Sequence, residues 1–128
     1  MQGLHLTADL SACPVQRRAM TEPEALRDLC LTAVRAAGLT AVGELVHRFT
    51  AAPGAEAGEP AGITGVVLLA ESHLALHTWP EKGAVTLDVF VCNLGTDNRE
   101  RAQALMTALQ SMFGAAAAEH HRIERGAA

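Results

Sequence analysis

The segment between residues 63 and 92 contains three apolar stretches of strand length in direct succession, separated by two short polar turns. Ile63–Ala70 is continuously apolar, whereas His73–Thr78 and Ala84–Cys92 alternate apolar with polar residues. A period of two is typical of strands with one buried face, and a continuous apolar run is typical of a strand buried on both faces or near the centre of a sheet. Because short turns join antiparallel neighbours, this segment predicts an antiparallel sheet.

Two other segments have helical periodicity, with apolar residues recurring at three- and four-residue steps. The first predicted helix lies between the capping residue Thr21 and Gly38, and the second between Thr96 or Asp97 and Gly114. Each begins with a capping-box pattern, in which a glutamate follows the Thr or Asp by three residues. Each ends at a glycine, the residue that most readily adopts the left-handed conformation of a helix stop.

Three further strands are predicted at Gly3–Leu10, at Ala41–Thr50 and, as a last edge strand, at Ala117–Ile123. Two helices and about six strands predict an α+β fold, a two-layer sandwich with a mostly antiparallel sheet and both helices on one face. A length of 128 residues with 49% apolar content supports one core, so residues 1–128 are predicted to form a single domain. The proline- and glycine-containing stretch Ala51–Ala61 is predicted to be a surface loop of that domain.

Composition argues against several classes of partner. The net charge is -4 without a basic block, and aromatic residues make up 3% of the chain without any tyrosine, so nucleic-acid binding is not expected. No apolar run approaches the ~20 residues that a membrane-spanning helix needs, so no membrane partner is expected. Three cysteines without a C-x-x-C motif favour neither a disulfide framework nor a zinc ribbon, and fit a reducing, cytoplasmic location.

Polar and reactive side chains are concentrated in AESHLALHTWPE, residues 70–81, which contains two of the six histidines and the only tryptophan. Polar groups between buried strands destabilise a fold unless they are used. A tight turn at Glu71-Ser72 would let Ser72 swing towards His77, and strand pairing would bring Cys92 to the same place. A hydroxyl, an imidazole and a thiol would then surround one peptide bond, a set that suits acyl transfer.

Ordinary structural roles explain the same residues. A serine and a histidine in one strand usually share only a hydrogen bond, Cys92 is typical of a buried small hydrophobe, and Phe49 is typical of a core residue. A metal site formed by Glu71, His73 and His77 is not expected, because histidines four residues apart on a strand lie roughly 13 Å apart. Pattern alone leaves a catalytic cluster and a structural polar cluster both open.

The sequence GVVLLAESHLALHTWPE, followed by LDVFVC, resembles the prokaryotic S-adenosylmethionine decarboxylase family of self-processing pyruvoyl enzymes. Cys92 lies at the interval that this family leads one to expect. The earlier residues share the resemblance through His5-Leu6, Ala8-Asp9, Cys13 and His47-Arg48-Phe49, so that nearly the whole chain is covered.

The resemblance implies that the chain cleaves itself. Ser72 would attack the carbonyl of Glu71, and His77 would promote the elimination that splits the chain into a β chain, residues 1–71, and an α chain, residues 72–128. The α chain would begin with a pyruvoyl group derived from Ser72, a covalent cofactor that forms a Schiff base with the substrate amine. Thr64 replaces a serine that supports processing in the family, and Cys92 would return a proton to the product.

Substrate recognition is implied at three positions. Phe49 would stack on an adenine, Glu81 would lie by the ribose or the methionine moiety, and Asp9 matches an acidic position of the first strand. The chain departs from the family pattern near these residues, since Leu10-Ser11 replaces an aromatic pair and Lys82-Gly83-Ala84 replaces a tyrosine-rich segment.

The implied function is decarboxylation of S-adenosylmethionine to supply aminopropyl groups for spermidine synthesis. Related family members that act on L-arginine or L-ornithine provide one alternative, and an unprocessed binding or regulatory homologue without enzymatic activity provides another. The expected partners are a small amino-acid-type substrate and a second processed protomer, in a homodimer whose sites lie near the subunit interface.

Overall fold

The computed structural model describes residues 1–50 and 61–126. The described residues form six strands and two α-helices, together with short 3-10 turns at Arg18–Met20 and Pro80–Lys82. In chain order the elements are β1 (Gly3–Ser11), α1 (Pro23–Ala36), β2 (Ala41–Arg48), β3 (Ile63–Leu69), β4 (Ser72–Trp79), β5 (Ala84–Cys92), α2 (Arg99–Phe113) and β6 (Ala117–Arg125).

The six strands form one sheet in the order β2-β3-β4-β5-β1-β6, and every neighbouring pair is antiparallel. Helix α1 packs on β2 and β3, and α2 packs on β1 and β5. The predicted two-layer α+β sandwich with both helices on one side of the sheet is confirmed. No helix in the described part of the chain is both long and apolar enough to span a bilayer.

Alternation along the strands separates the two faces of the sheet. Core residues of the central strands point towards the helices: Leu4, Leu6, Ala8 and Leu10 in β1, Leu74 and Leu76 in β4, and Val85, Leu87, Val89 and Val91 in β5. They pack against the apolar stripes of α1 and α2, and burying each large side chain contributes about 1.5–3 kcal/mol. The residues between them point the other way, onto a face that no helix covers, here called the open face.

Some sequence predictions need correction. Strand β3 lies next to the edge strand β2 and is buried on only one face, because Leu68 on the open face is 52% exposed. Thr21 does not cap α1, which is preceded by Glu22 without any side-chain capping bond. Helix α2 is preceded by Asn98, although the Asp97 carboxylate still accepts a hydrogen bond from the backbone N–H of Arg99.

Other predictions about the connections hold. Gly38 and Gly114 follow the two helices with φ of 81° and 66°, in the left-handed region. The edge strand at the end of the chain is present as β6. The predicted surface loop Ala51–Ala61 falls almost entirely on residues 51–60, outside the described part of the chain.

Candidate active site

A two-residue turn, Ala70–Glu71, joins β3 to β4, and Leu69 pairs with Ser72 across it. Glu71 has a φ of 57°, in the left-handed region that non-glycine residues rarely occupy. This conformation costs a side-chain-bearing residue about 1–2 kcal/mol. The peptide bond between Glu71 and Ser72 therefore lies where a strained turn enters a strand.

Ser72 and Cys92 meet at one end of the sheet, as strand pairing predicts. His73 lies opposite Phe90 in the pairing of β4 with β5, which brings Ser72 close to the end of β5. The backbone N–H of Cys92 donates a 3.0 Å hydrogen bond to Ser72 Oγ. Cys92 is 8% exposed and Ser72 is half-buried. These two residues are called the Ser72 pair below.

Asn98, which the sequence did not single out, holds the peptide after Cys92. Its Nδ2 donates a 2.9 Å hydrogen bond to the carbonyl of Cys92, and its backbone N–H donates to Asn93 Oδ1 at 2.9 Å. The start of α2 is thereby tied to the end of β5. Within the described part of the chain, Asn93 Nδ2 is buried without a hydrogen-bond partner, so a donor remains unused directly after Cys92.

Thr64 and His77 form a second pair, on the open face. They are strand partners in β3 and β4, and Thr64 Oγ1 lies 2.8 Å from His77 Nδ1 in a hydrogen bond. His47 is the strand partner of Thr64 on the other side, and its ring packs edge-on against Phe49 at a centroid distance of 4.8 Å. Thr64 and His77 are called the His77 pair below.

The two pairs are far apart within one chain. Ser72 and His77 both lie in the continuous strand β4, and five residues of strand span about 16 Å. The turn lies at Ala70–Glu71 and Ser72 already belongs to the strand, so the expected swing of Ser72 towards His77 does not occur. The sequence-predicted set is therefore divided into two half-sites.

The predicted substrate residues all lie towards the His77 pair. Phe49 is 51% exposed at the end of β2. Asp9 is exposed on the open face. It pairs with Thr86 of β5, and Thr86 pairs in turn with His77 of β4. Glu81 is exposed in the 3-10 turn that follows β4. The structure thus brings Phe49, Asp9 and Glu81 to the same end of the sheet and none of them to the Ser72 pair.

The chain matches a known protein family over nearly its whole length. A family model described as S-adenosylmethionine decarboxylase matches residues 4–126. The chain belongs to the S-adenosylmethionine decarboxylase family. It is 37% identical over 112 residues to the S-adenosylmethionine decarboxylase proenzyme of Synechococcus sp. (strain WH7803), covering 88% of this chain and 79% of that one. It is 35% identical over 124 residues to the proenzyme of Archaeoglobus fulgidus, covering 97% of each chain.

The fold is similar to a solved member of the S-adenosylmethionine decarboxylase family. The crystal structure of the adenosylmethionine decarboxylase from Aquifex aeolicus VF5 superposes with a TM-score of 0.82 at 32% identity. The superposition covers 98% of this chain and 92% of that chain.

A polar network lies between the two half-sites of this family member. His5 Nε2 is hydrogen-bonded to Asp88, and Arg125 Nη1 lies 3.1 Å from His5 Nδ1. A guanidinium only donates hydrogen bonds, so Nδ1 of His5 accepts and its Nε2 carries the proton given to Asp88. The rings of His73 and Phe90 stack beside this network at a centroid distance of 5.6 Å. Only the register of β1, β4, β5 and β6 brings these residues together, so the sequence motifs did not predict the network.

Cys13 and Cys30 are the other two cysteines of the chain, and both are buried. Burial raises the pKa of Cys30 to about 12 and raises the pKa of Cys13 above its ordinary value. Both of those residues belong to the hydrophobic core, which does not include Ser72. A separate cluster on the open face is formed by Asp9, Glu119 and His121, and all three side chains are exposed. Their potential metal-binding atoms lie within 4.8 Å of one another.

Proposed function

We propose that this chain is a pyruvoyl-dependent S-adenosylmethionine decarboxylase that supplies aminopropyl groups for spermidine synthesis. Membership of the family provides the reaction class. The observation that carries the proposal is the placement of Ser72, which follows the strained Glu71 and has its hydroxyl held by the backbone of Cys92. A hydroxyl at this position suits attack on the preceding carbonyl better than it suits a purely structural role.

Self-processing begins with Ser72 Oγ attacking the carbonyl carbon of Glu71. The peptide C–N bond breaks, an ester forms between Glu71 and the side chain of Ser72, and the amine of Ser72 is released. Loss of the Ser72 α-proton then expels the Glu71 carboxylate and leaves a dehydroalanine. Water hydrolyses the imine form of this residue, which becomes the pyruvoyl ketone and releases ammonia. The left-handed turn at Glu71 favours the first step, because opening the peptide bond releases the restraint on its backbone.

The surroundings of Ser72 fit the pyruvoyl group that this sequence of steps leaves behind. Ser72 is half-buried, its neighbour Cys92 supplies both an N–H donor and a thiol, and Asn93 Nδ2 offers an unused donor. When formed, the group supplies a ketone for condensation with the substrate amine and a carbonyl system that withdraws electrons as carbon dioxide leaves.

Cys92 is proposed to hold the proton that the product receives. Its thiol belongs to a residue that is 8% exposed, which limits the access of competing water. Asn98 Nδ2 donates a hydrogen bond to the carbonyl of Cys92 and so fixes the orientation of that peptide group, which restricts where the thiol can lie. A thiol is suited to this transfer because it is a weak acid that can give up a proton and regain it.

A second copy of the chain is proposed to complete each site. The His77 pair lies about 16 Å from Ser72 within one chain, which is too far for His77 to act there. The open face carries exposed apolar side chains, including Leu45 at 71% and Leu68 at 52%. Two open faces packed about a two-fold axis would bury these side chains and set the His77 pair of each copy against the Ser72 pair of the other.

Phe49, Asp9 and Glu81 belong to the same composite site in this proposal. Phe49 presents a half-exposed ring for the adenine, and the carboxylates of Asp9 and Glu81 provide negative charge near the cationic substrate. A cytoplasmic location is part of the proposal and is supported by the free state of all three cysteines, which a reducing compartment maintains.

Intact-mass analysis of the purified protein, followed by a carbon dioxide release assay, tests the proposal. We expect two fragments that separate between residues 71 and 72, with a ketone on the second, and release of carbon dioxide from S-adenosylmethionine. A single uncleaved chain would favour a non-enzymatic homologue. Cleavage with release only from L-arginine or L-ornithine would retain the pyruvoyl mechanism and reject the substrate.

A further inference from the structure

A lysine lies over the ring of the tryptophan next to His77. Lys82 Nζ is 5.7 Å from the ring centroid of Trp79, which is 41% exposed and lies on the open face at the end of β4. The Trp79 ring is also tilted against the ring of His77 at a centroid distance of 6.4 Å. These two residues are the only tryptophan and the only lysine of the chain.

The backbone around Trp79 and Lys82 is firmly anchored. Thr78 is buried, its hydroxyl donates to the carbonyl of Met20 at 2.8 Å, and it accepts from the N–H of Ile63 at 3.0 Å. The turn ends at Gly83, which has a φ of 60° and accepts a 2.8 Å hydrogen bond from the N–H of Cys13. The backbone that carries the two side chains is therefore fixed, and it places Lys82 Nζ over the Trp79 ring.

The face of an aromatic ring attracts one cation at a time. Lys82 is not part of any ion pair within residues 1–50 and 61–126, so its charge there is directed to the Trp79 ring rather than to a carboxylate. A sulfonium is attracted to the same kind of surface as an ammonium. A cationic substrate that reaches the His77 pair would meet this ammonium next to the ring.

We propose that Lys82 is a specificity-determining residue, whose ammonium occupies the face of Trp79 and competes with the cationic tail of the substrate. This inference rests on the proposed function. Lys82 weakens the binding of sulfonium substrates relative to neutral analogues, because the sulfonium must displace the ammonium or bind beside it. The selectivity of the site is set by charge at Trp79 in addition to the shape of the adenine pocket.

Substitutions can separate the charge of Lys82 from the packing of its stem. Lys82→Met keeps an apolar stem over the ring and removes the charge, whereas Lys82→Arg keeps the charge. Arg48→Gln is a matched control for charge removal, because Arg48 is exposed at the same end of the sheet but pairs with the core-facing Ile63 and points away from the open face. Each variant is first checked for complete cleavage by intact mass.

Steady-state kinetics with the processed enzyme gives the first readout. Lys82→Met should lower KM for S-adenosylmethionine about two- to fivefold, with the change in KM rather than in kcat, while Lys82→Arg and Arg48→Gln stay within twofold of the wild type. Raising salt from about 0.02 M to 0.3 M should raise KM more steeply in Lys82→Met than in the wild type, because screening weakens the attraction of Asp9 and Glu81 in both proteins but relieves the Lys82 repulsion only in the wild type. Equal KM values and equal salt dependence in the wild type and Lys82→Met would overturn the inference.

Tryptophan fluorescence of uncleaved protein gives a second readout that does not require turnover. In the Ser72→Ala background, S-adenosylmethionine should change the emission of Trp79, and adding Lys82→Met should tighten this binding. Binding of S-adenosylhomocysteine, a neutral thioether, should be the same with and without Lys82→Met. If Lys82→Met tightens both ligands equally or neither, Lys82 does not discriminate by charge.

The two readouts also distinguish failure of this inference from failure of the proposed function. Wild-type protein that is uncleaved, or that releases no carbon dioxide from S-adenosylmethionine, would overturn the proposed function. The fluorescence comparison still decides the role of Lys82 in that case, because it measures binding of the two ligands to the uncleaved chain.

Discussion

The backbone N–H of Cys92 donates a hydrogen bond to Ser72 Oγ at 3.0 Å, joining two residues that are 20 positions apart in the sequence. This bond occupies a lone pair of the hydroxyl oxygen and fixes its direction at the start of β4. The same N–H is positioned to stabilise negative charge on that oxygen when the Cβ–Oγ bond of the ester breaks and the oxygen leaves in the Glu71 carboxylate. In the proposed function, the Cys92 backbone assists processing and its thiol assists turnover.

Ser72→Ala should leave one uncleaved chain of 13.4 kDa without decarboxylase activity, because no hydroxyl remains to attack the Glu71 carbonyl. Intact-mass spectrometry and a carbon dioxide release assay measure both effects. Ser111→Ala, on the exposed side of α2, serves as a control and should cleave as the wild type does. Cleavage at residue 71 in Ser72→Ala would contradict the assignment of Ser72 as the attacking residue.

Glu71→Gly should make the uncleaved fold about 1 kcal/mol more stable than Glu71→Ala, because glycine adopts a φ near 57° without the strain of a Cβ. The comparison is made by urea unfolding in the Ser72→Ala background, where processing cannot interfere. Ala70→Gly is the matched control, since Ala70 has no positive φ, and it should lower stability by about 0.5–1 kcal/mol. Equal stability of Glu71→Gly and Glu71→Ala would show that the turn stores no strain at Glu71.

Alternation along β4 and β5 was sufficient to predict which side chains face the core and which face away. Leu74 and Leu76 are buried, and His73 and His77 point to the open face, because a strand has a strict period of two. The continuous apolar run of β3 predicted a strand buried on both faces or near the centre of the sheet, and that prediction was wrong. Leu68 is apolar and 52% exposed, and an apolar residue on an uncovered face looks the same in sequence as one on a buried face.

The sequence predicted that Cys92 lies close to Ser72, but it did not predict the distance from Ser72 to His77. Pairing of β4 with β5 was enough to bring Cys92 to Ser72, because both lie at strand ends separated by one hairpin. The distance from Ser72 to His77 depends on where the turn lies, and the position of that turn at Ala70–Glu71 was not visible in the sequence. Asn98 was missed for a related reason, since its bond to Cys92 depends on how α2 enters the fold.

Alkaline pH should destabilise the protein through Cys30. Burial raises the pKa of Cys30 from 9.0 to about 12, so above pH 9 the thiol ionises in the unfolded chain but stays protonated in the folded one. The stability that this thiol contributes is complete below pH 9 and is lost as the pH rises towards 12, with a slope of up to about 1.4 kcal/mol per pH unit.

Urea unfolding of the Ser72→Ala chain at pH 7.0, 9.0 and 10.5 measures this dependence. Adding Cys30→Ala should lower stability at every pH, because it leaves a small cavity beneath α1, but it should make the decline above pH 9 shallower. Parallel declines with and without Cys30→Ala would assign the alkaline instability to other groups.

Two inactive chains should restore each other if the half-sites combine across a dimer. The His77→Ala chain keeps Ser72 and lacks the imidazole, whereas the Ser72→Ala chain keeps His77 and lacks the nucleophile. In the proposed face-to-face dimer, the His77 pair of one copy lies against the Ser72 pair of the other, so a mixed dimer would contain one complete site. In that dimer the His77→Ala chain should be cleaved, at least tenfold faster than in its own homodimer, while the Ser72→Ala chain stays intact.

Co-expression of the two chains with different affinity tags, followed by intact-mass analysis of each chain, measures this rescue. The double variant Ser72→Ala/His77→Ala is the control partner and should give no rescue, because neither half-site of that copy can complete the site of the His77→Ala chain. Equal cleavage of the His77→Ala chain with either partner would show that His77 does not act across the interface.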